Sequence, residues 1–188
     1  MELDHAMAES SQSTRKSPPV NISFERERGV YALEVMRDVA HAVIEVGTDD
    51  GRTARMLGVF TVLANVDVPV FLIKMHSGAI TLAFSGKDRE KALDALSEYG
   101  LTSKVRGELA LVVVRAATMR DLHGVMVNIA DALFAAGALL YETGDSHNSV
   151  QCLIEADRSS EAEAQLCKVF QLPPESVHHL MVSSEGGR

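Results

Sequence analysis

The stretch Val70–Phe84, VFLIKMHSGAITLAF, is repeated in pattern 70 residues later by Leu140–Ile154, LYETGDSHNSVQCLI. Each stretch has two short apolar runs around a polar turn, which is the pattern of a β-hairpin. The same offset aligns apolar positions on both sides of the hairpins, including Val59 with Ile129, Leu63 with Leu133, and Leu96 with Leu166. Because the apolar period changes from 2 to 3.6 at the same places in both halves, we predict two copies of one small module.

The order of elements within the copies predicts the fold class. The first copy is predicted to have strands at Val30–Met36, Val39–Val46, Val68–Met75 and Ala79–Phe84, and helices at Arg52–Asn65 and Lys87–Tyr99. The second is predicted to have strands at Glu108–Ala116, Ala138–Thr143 and Ser149–Ala156, and helices at Val125–Ala136 and Ser159–Phe170. A closing strand at 102–106 or 176–182 completes a ferredoxin-like βαββαβ unit in each copy. We therefore predict an α+β protein of two such domains in tandem.

The domain boundaries follow from this order. We assign residues 30–106 to the first domain and residues 107–182 to the second. Each domain is expected to form a four-stranded antiparallel sheet with two helices on one face. The run Val30–Met36 is an extra N-terminal strand, free to add to an edge of one of the two sheets. Residues 1–21, rich in Ser, Pro and charge, are predicted to be a disordered tail, and residues 183–188 a flexible one.

The composition limits the classes of partner. The 188 residues include 18 Lys and Arg against 26 Asp and Glu, a formal charge of −8 that disfavours nucleic acids and anionic membranes. No apolar run approaches the roughly 20 residues needed to span a membrane. The polar first residues lack the apolar core of a signal sequence, so we expect a cytoplasmic protein. Cys152 and Cys167 are interpreted as reduced structural thiols.

The sequence Met119–Val125, MRDLHGV, followed by Ala132-Leu133, resembles the opening loop and helix of an ACT domain, a small regulatory βαββαβ module that binds amino acids. With the extra strand, the tandem pair resembles the regulatory region of aspartate kinases over residues 30–182, and most closely over 111–170. The resemblance implies a protein that senses an amino acid or related metabolite at an interface between modules. Its output would be the activity of a catalytic kinase subunit or its own oligomeric state. Small sheets leave unpaired edges, so we also expect a homodimer.

The resemblance and the loop chemistry together single out two sets of ligand-binding residues. The first set is Asp50, Gly51, Arg52, Thr53, His76 and Ser77, and the second is Asp121, His123, Gly124, Ser146 and Asn148. In each set a carboxylate would hold the ammonium group of the ligand, while backbone N–H groups at the start of a helix hold its carboxylate. The alternative role of Asp49, Asp50 and Asp121 is to cap those helices.

The remaining polar residues suggest no further chemistry. Glu142, Asp145 and His147 crowd one turn, which we interpret as a solvated hairpin tip and not as a metal site. Arg115 is predicted to pair with Glu142 and not to hold a ligand carboxylate. No combination of nucleophile, base and acid is readable, so we predict no enzymatic activity, no cofactor and no metal.

One alternative to the sensor remains open at this point. It is an interaction subunit that binds no ligand and pairs with a catalytic chain through its sheet edges. The loop Asp49–Thr53 favours this alternative, because it lacks the Pro-Gly pair that is usual in the family.

Overall fold

The computed structural model of the chain describes residues 29–119 and 123–180. Its strands are β1 (Val30–Glu45), β2 (Val70–Met75), β3 (Ala79–Ser85), β4 (Ser103–Ala116), β5 (Leu140–Asp145), β6 (Ser149–Glu155) and β7 (Val177–Leu180). Its helices are α1 (Arg52–Asn65), α2 (Arg89–Glu98), α3 (Val125–Ala135) and α4 (Ser159–Phe170). The bounds of α1 and α4 are those that the apolar spacing predicts. The predicted tails, residues 1–21 and 183–188, lie outside the described residues.

The hydrogen bonds of the two halves repeat each other and confirm the duplication. The turn after α1 is closed by Val68 N–H donating to Leu63 O, and the turn after α3 by Ala138 N–H donating to Leu133 O, both at 3.0 Å. Each hairpin also has a register shift directly after its first strand begins, between Val70 and Leu72 in one and between Leu140 and Glu142 in the other.

The long strands β1 and β4 run through both modules. Residues 39–45 of β1 pair with β3 and with the start of β4, and these elements with α1, β2 and α2 form the first module. Residues 30–36 of β1 pair with residues 111–116 of β4 and with β7, and these elements with α3, β5, β6 and α4 form the second module. The strand order is β2-β3-β1-β4-β6-β5, with β7 on the other side of the first half of β1.

This arrangement corrects two expectations from the sequence. The run Val30–Met36 is not a separate strand at a sheet edge, because it continues into β1 and lies between β4 and β7. The sheet of the second module is not purely antiparallel, because β7 runs parallel to β1. The physical reason is the pairing of the first half of β1 with β4. This half-strand occupies the position in the sheet that we predicted for the closing strand, so the closing strand β7 pairs with the other side of β1.

Two bulges mark the passage of the strands from one module to the other. Between Met36 and Val39, β1 has one residue more than β4, and between Leu109 and Arg106, β4 has one residue more than β1. Each bulge contains a left-handed residue, Asp38 in β1 and Glu108 in β4, both with φ of 58°. Bulges bend a strand and increase its twist, which lets one pair of strands serve two sheets.

Three apolar clusters hold the described residues together. One lies under α1 and α2 and includes Ile44 and Phe84, and a second lies under α3 and α4 and includes Val112 and Leu166. The third lies on the faces of the sheets that the helices leave free. It joins residues of both modules, namely Val39, Leu72, Ala83, Leu109, Leu111, Val113 and Leu153. The two modules therefore share a core as well as two strands. Within the described ranges, no helix is both long and apolar enough to cross a membrane.

Candidate functional site

In the first module, the loop after β1 is tied to the tip of the β2–β3 hairpin. The N–H groups of Val46 and Gly47 donate to Gly78 O at 2.9 and 3.1 Å. The guanidinium of Arg52 donates to His76 O at 2.9 Å. The predicted residues Arg52 and His76 are thus brought together, beside the exposed side chains of Asp50, Thr53 and Ser77.

The space between this loop and α1 is filled by the side chain of Arg55. Its Nε donates to Val46 O and its Nη2 to the Asp49 carboxylate, both at 2.7 Å. A Cβ atom built on Gly51 would lie 2.6 Å from Arg55 Nη1, so the guanidinium rests directly on the glycine. A ligand that approached the backbone of Gly51 would have to displace Arg55. In the first module, Arg55 therefore occupies the approach to the backbone of Gly51.

The acidic residues of this loop do not cap α1 in the predicted way. The N-cap residue is Gly51, which makes no side-chain cap hydrogen bond. Asp49 instead accepts hydrogen bonds from Arg55 and from the Gly51 N–H. Both bonds hold the pKa of its carboxyl below the usual range, and the bond from Arg55 has the larger effect.

The second module has the same loop-to-hairpin framework. The Ala116 N–H donates to Asn148 O at 2.9 Å, which is the counterpart of the Val46 contact, and the Met119 N–H donates to His147 O at 2.9 Å. The hairpin tip is ordered by the Ser146 hydroxyl, which lies 2.7 Å from the Ser149 hydroxyl and donates to Asn148 Oδ1. Val125 stands 70 residues after Arg55, so no guanidinium is available at that position.

A cavity of about 790 Å³ opens beside the start of α3 in this module. Its lining includes Gly124, the first residues of α3 and the hairpin residues Thr143–His147, with Met119 and Val150 contributing apolar surface. Gly124 is the N-cap residue with φ of 75°, a left-handed conformation that favours glycine. The cavity therefore combines the first turn of a helix, an apolar wall, and the carboxylate of Asp145.

The structure gathers only part of the second predicted set. Gly124 and Ser146 line the cavity, while His123 is exposed and Asn148 supports the hairpin tip. Asp121 lies outside the described residues. The two predicted sets also do not come together at one interface between the modules. Strands β1 and β4 are antiparallel, with Ile44 opposite Ser103 and Val30 opposite Ala116. The loops that follow these two strands therefore begin at opposite ends of the strand pair.

A buried polar cluster between the modules was missed by the sequence reasoning. Glu142 was placed at a solvated hairpin tip, but its side chain is 13% exposed and faces the first module. Its carboxylate accepts a hydrogen bond from the Thr81 hydroxyl at 2.9 Å and lies 3.4 Å from Lys74 Nζ. No local pattern around Glu142 signals these partners, because both belong to the other module.

His41 completes this cluster. Its Nε2 atom lies 3.7 Å from the Glu142 carboxylate, a contact too long for a hydrogen bond. Burial lowers the pKa of His41 below 6.5, and the neighbouring Glu142 only partly opposes that shift. The imidazole is therefore neutral at pH 7.

Arg115, which we predicted to pair with Glu142, pairs instead with Glu34 on β1. The pairing is structural, as predicted, but with another partner. Of the three residues that we interpreted as a solvated hairpin tip, Asp145 and His147 are exposed and Glu142 is not. Among the described residues, no group of three or more His, Cys, Asp or Glu side chains is placed to hold a metal ion.

Two βαββα modules share two long strands, and each has a loop and a hairpin that meet at the start of its first helix, which defines a tandem ferredoxin-like fold. Solved structures have this fold. The regulatory subunit of aspartate kinase from Thermus thermophilus, in its ligand-free form, is similar with a TM-score of 0.66 and 19% identity, over 76% of this chain and 99% of that one. A C-terminal regulatory domain of aspartate kinase from Porphyromonas gingivalis gives 0.61 and 17%, over 74% and 96%.

Complete kinases show the same likeness over a part of their length. Aspartate kinase from Clostridium acetobutylicum is similar with a TM-score of 0.69 and 12% identity, over 79% of this chain and 37% of that one. No protein-family model and no curated protein matches the sequence. At these identities the likeness is one of fold: this chain has the fold of the regulatory regions of aspartate kinases.

Proposed function

We propose that the protein is a regulatory sensor that binds an amino acid in the cavity of its second module. The observation that carries this proposal is the difference between the two copies. Arg55 fills the site of the first module, whereas Val125 stands at the matching position of the second and leaves a cavity of about 790 Å³. The first module then serves as a structural partner, and the second as the binding module.

The lining of the cavity suits a zwitterion. The N–H groups in the first turn of α3 would donate hydrogen bonds to the ligand carboxylate, since the start of a helix favours negative charge. The carboxylates of Asp145 and Asp121 are the candidates for the ammonium group. Met119, Val125 and Val150 offer apolar contacts, so we favour an amino acid with an apolar side chain. A ligand seated there would stabilise one packing of α3 and the hairpin over others, which is the basis of a regulatory response.

Related structures support an amino-acid ligand. Aspartokinase III from E. coli, which has the same fold in part of its chain, was solved in complex with lysine and aspartate. The output of the present protein would be a catalytic kinase chain or its own assembly, and it would have no catalytic activity itself.

A thermal-shift screen tests the sensor. We expect at least one of the standard amino acids, at millimolar concentration, to raise the melting temperature. Met126→Arg should abolish the rise, because Met126 lines the cavity and is half exposed, so that the added charge enters the cavity and not the core. Leu57→Arg on α1, also exposed, is the matched control and should keep the response.

The predicted carboxylates can be separated in the same screen. Asp145→Asn and Asp121→Asn each remove one candidate partner of the ammonium group without a change in size. Loss of a buried charged contact weakens binding by about 2–5 kcal/mol, so the true partner should lose most of the response. If none of the twenty amino acids shifts the melt of the parent protein, the sensor is refuted and the interaction subunit replaces it.

We further propose a homodimer formed through the outer face of α3. Phe134 is 87% exposed and Val127 is 61% exposed, and residues seven apart lie on one face of a helix. Exposed apolar surface of this kind marks interaction sites. Light scattering at tens of micromolar should give a dimer mass, and Phe134→Glu a monomer mass. A monomer mass for the parent protein would refute the dimer. A dimer mass for Phe134→Glu would show that the interface lies elsewhere than on the outer face of α3.

A further inference from the structure

A second cavity, of about 630 Å³, lies at the junction of the two modules and has a chemistry unlike that of the first. Three cationic side chains line it, Arg89, Lys104 and Arg106, against one carboxylate, that of Glu108. The rest of its lining is His41, Val43, Val105 and Gly107. Among the described residues, none of the three cations takes part in a salt bridge within 4.0 Å. In a chain of formal charge −8, this is an unusual concentration of positive charge.

The register of the sheet places two of the three cations on one face. His41 stands opposite Arg106 and Val43 stands opposite Lys104 across the β1–β4 ladder. Opposite residues of an antiparallel pair project from the same face, as do residues two apart, so Lys104 and Arg106 share a face with His41. Arg89 lies in the first turn of α2, on the helix side of the sheet, and borders the cavity beside Gly107, which has no side chain. A Cβ atom built there would lie 3.4 Å from Arg89 Nη1.

Arg106 is held in place before any ligand arrives. Its guanidinium lies 4.6 Å from the centroid of the Tyr141 ring and donates to the Tyr141 hydroxyl at 3.0 Å. Tyr141 belongs to β5 of the second module, whereas Arg89 and Lys104 belong to the first. His41 also lines the cavity, and its buried Nε2 atom, 3.7 Å from the Glu142 carboxylate, has no hydrogen-bond partner. A fixed guanidinium loses less entropy when it binds an anion than a mobile one does.

We propose that this junction cavity binds the phosphate group of a small metabolite. Two guanidinium groups and one ammonium group line the cavity, and together they offer more N–H donors than a single carboxylate can accept, which suits the several oxygens of a phosphate. The net charge of the lining at neutral pH is +2, from three cations and one carboxylate, and matches a dianion. The bound phosphate would link the first module to Arg106 and Tyr141, and so to the second.

Calorimetry and thermal melts with inorganic phosphate test the site, with no amino acid present. Phosphate should bind and raise the melting temperature beyond the effect of sodium chloride at the same ionic strength. Lys104→Gln should weaken phosphate binding at least about tenfold, as should Arg106→Gln. If Arg106→Gln unfolds because it loses the Tyr141 contact, Lys104→Gln alone tests the site. Lys168→Gln, which removes an exposed lysine of α4, is the matched control and should bind like the parent.

Two further arms define the ligand. O-phosphoserine should bind at least as well as inorganic phosphate if the site accepts a phosphate monoester. Succinate should bind more weakly, and a preference for succinate would overturn the phosphate assignment. A response equal to that of sodium chloride, or an equal loss in Lys168→Gln, would overturn the site itself. These outcomes are independent of the amino-acid screen, because the two cavities have no lining residue in common.

Discussion

Arg115 on β4 holds the carboxylate of Glu34 on β1 through two parallel hydrogen bonds, from Nε to Oε1 at 2.9 Å and from Nη2 to Oε2 at 2.8 Å. The pair lies where the opening strand of the chain meets the second module. Glu34 faces Val113 across the ladder and Arg115 faces Ala32, so the contact is diagonal between neighbouring strands. It links two strands of the second module whose paired residues are 81 positions apart in the sequence.

Removing the charge of Glu34 should weaken this link. Glu34→Gln replaces a bidentate ion pair by at most one neutral hydrogen bond, and both side chains are partly exposed. We therefore expect a loss of about 1 kcal/mol in the free energy of unfolding, measured by urea denaturation. Asp131→Asn, at an exposed position on α3, is the control and should change stability little. Equal losses in the two variants would contradict the role of the pair.

The buried imidazole of His41 should make stability depend on pH. Its pKa in the folded state is below 6.5, so the unfolded chain binds the proton more tightly and stability falls as pH drops through 6.5. Well above pH 6.5 the imidazole is neutral in both states and the effect vanishes. The groups that face His41 are Glu142, Thr81, His76 and Arg106.

Melting temperatures measured between about pH 8 and pH 5 check this expectation. The parent protein should lose stability more steeply than His41→Gln, because Gln has no proton to gain in this range. His178→Gln, at an exposed position on β7, is the control and should follow the parent. Parallel curves for the parent and His41→Gln would show that His41 does not titrate across the transition.

The close approach of Gly144 to the first module should make it intolerant of a side chain. A Cβ atom there would lie 2.6 Å from Leu72 Cδ1 and 2.9 Å from Gln151 Oε1. Gly144→Ala should cost about 1–3 kcal/mol, the usual range for overpacking, in chemical denaturation. Gly78→Ala meets only Thr48 Cγ2 at 3.6 Å and is the matched control. Equal stability of the two variants would place the contact between the modules in doubt.

The two thiols should differ in reactivity. Burial raises the pKa of Cys152 to about 12, so its thiolate is scarce at pH 8. Burial, and to a lesser extent Glu163, also raises the pKa of Cys167, but that side chain is only half-buried. A disulfide reagent should therefore label Cys167 first, and Cys167→Ser should label only on unfolding. Fast labelling of folded Cys167→Ser would contradict the burial of Cys152.

The sequence was sufficient for what depends on local pattern. The helices α1 and α4 and the hairpin at His76-Ser77-Gly78 follow from apolar spacing and turn residues, which act within a few positions. The continuity of β1 was missed because Arg37-Asp38 resembles a strand break, and only pairing with distant β4 turns it into a bulge.

Local sequence pattern likewise predicted one part of the candidate site and missed another. Gly124 and Ser146 were found from motif and turn chemistry, but the partners of Glu142 come from the other module, beyond the reach of local pattern. The blocking role that we propose for Arg55 did leave a signal in the sequence. The 70-residue offset aligns the charged Arg55 with the apolar Val125, so the two copies differ in charge at this matching position.

The shared strands also set an order for synthesis and folding. A nascent chain leaves the ribosome with its N-terminus first, and residues 39–106 contain every strand and helix of the first module. Residues 30–36 emerge still earlier, yet their partners are residues 111–116 and Val177–Leu180. The first half of β1 must therefore keep its hydrogen-bonding edges unpaired until these later residues have been made, and a chain truncated before β7 would leave one of those edges unpaired.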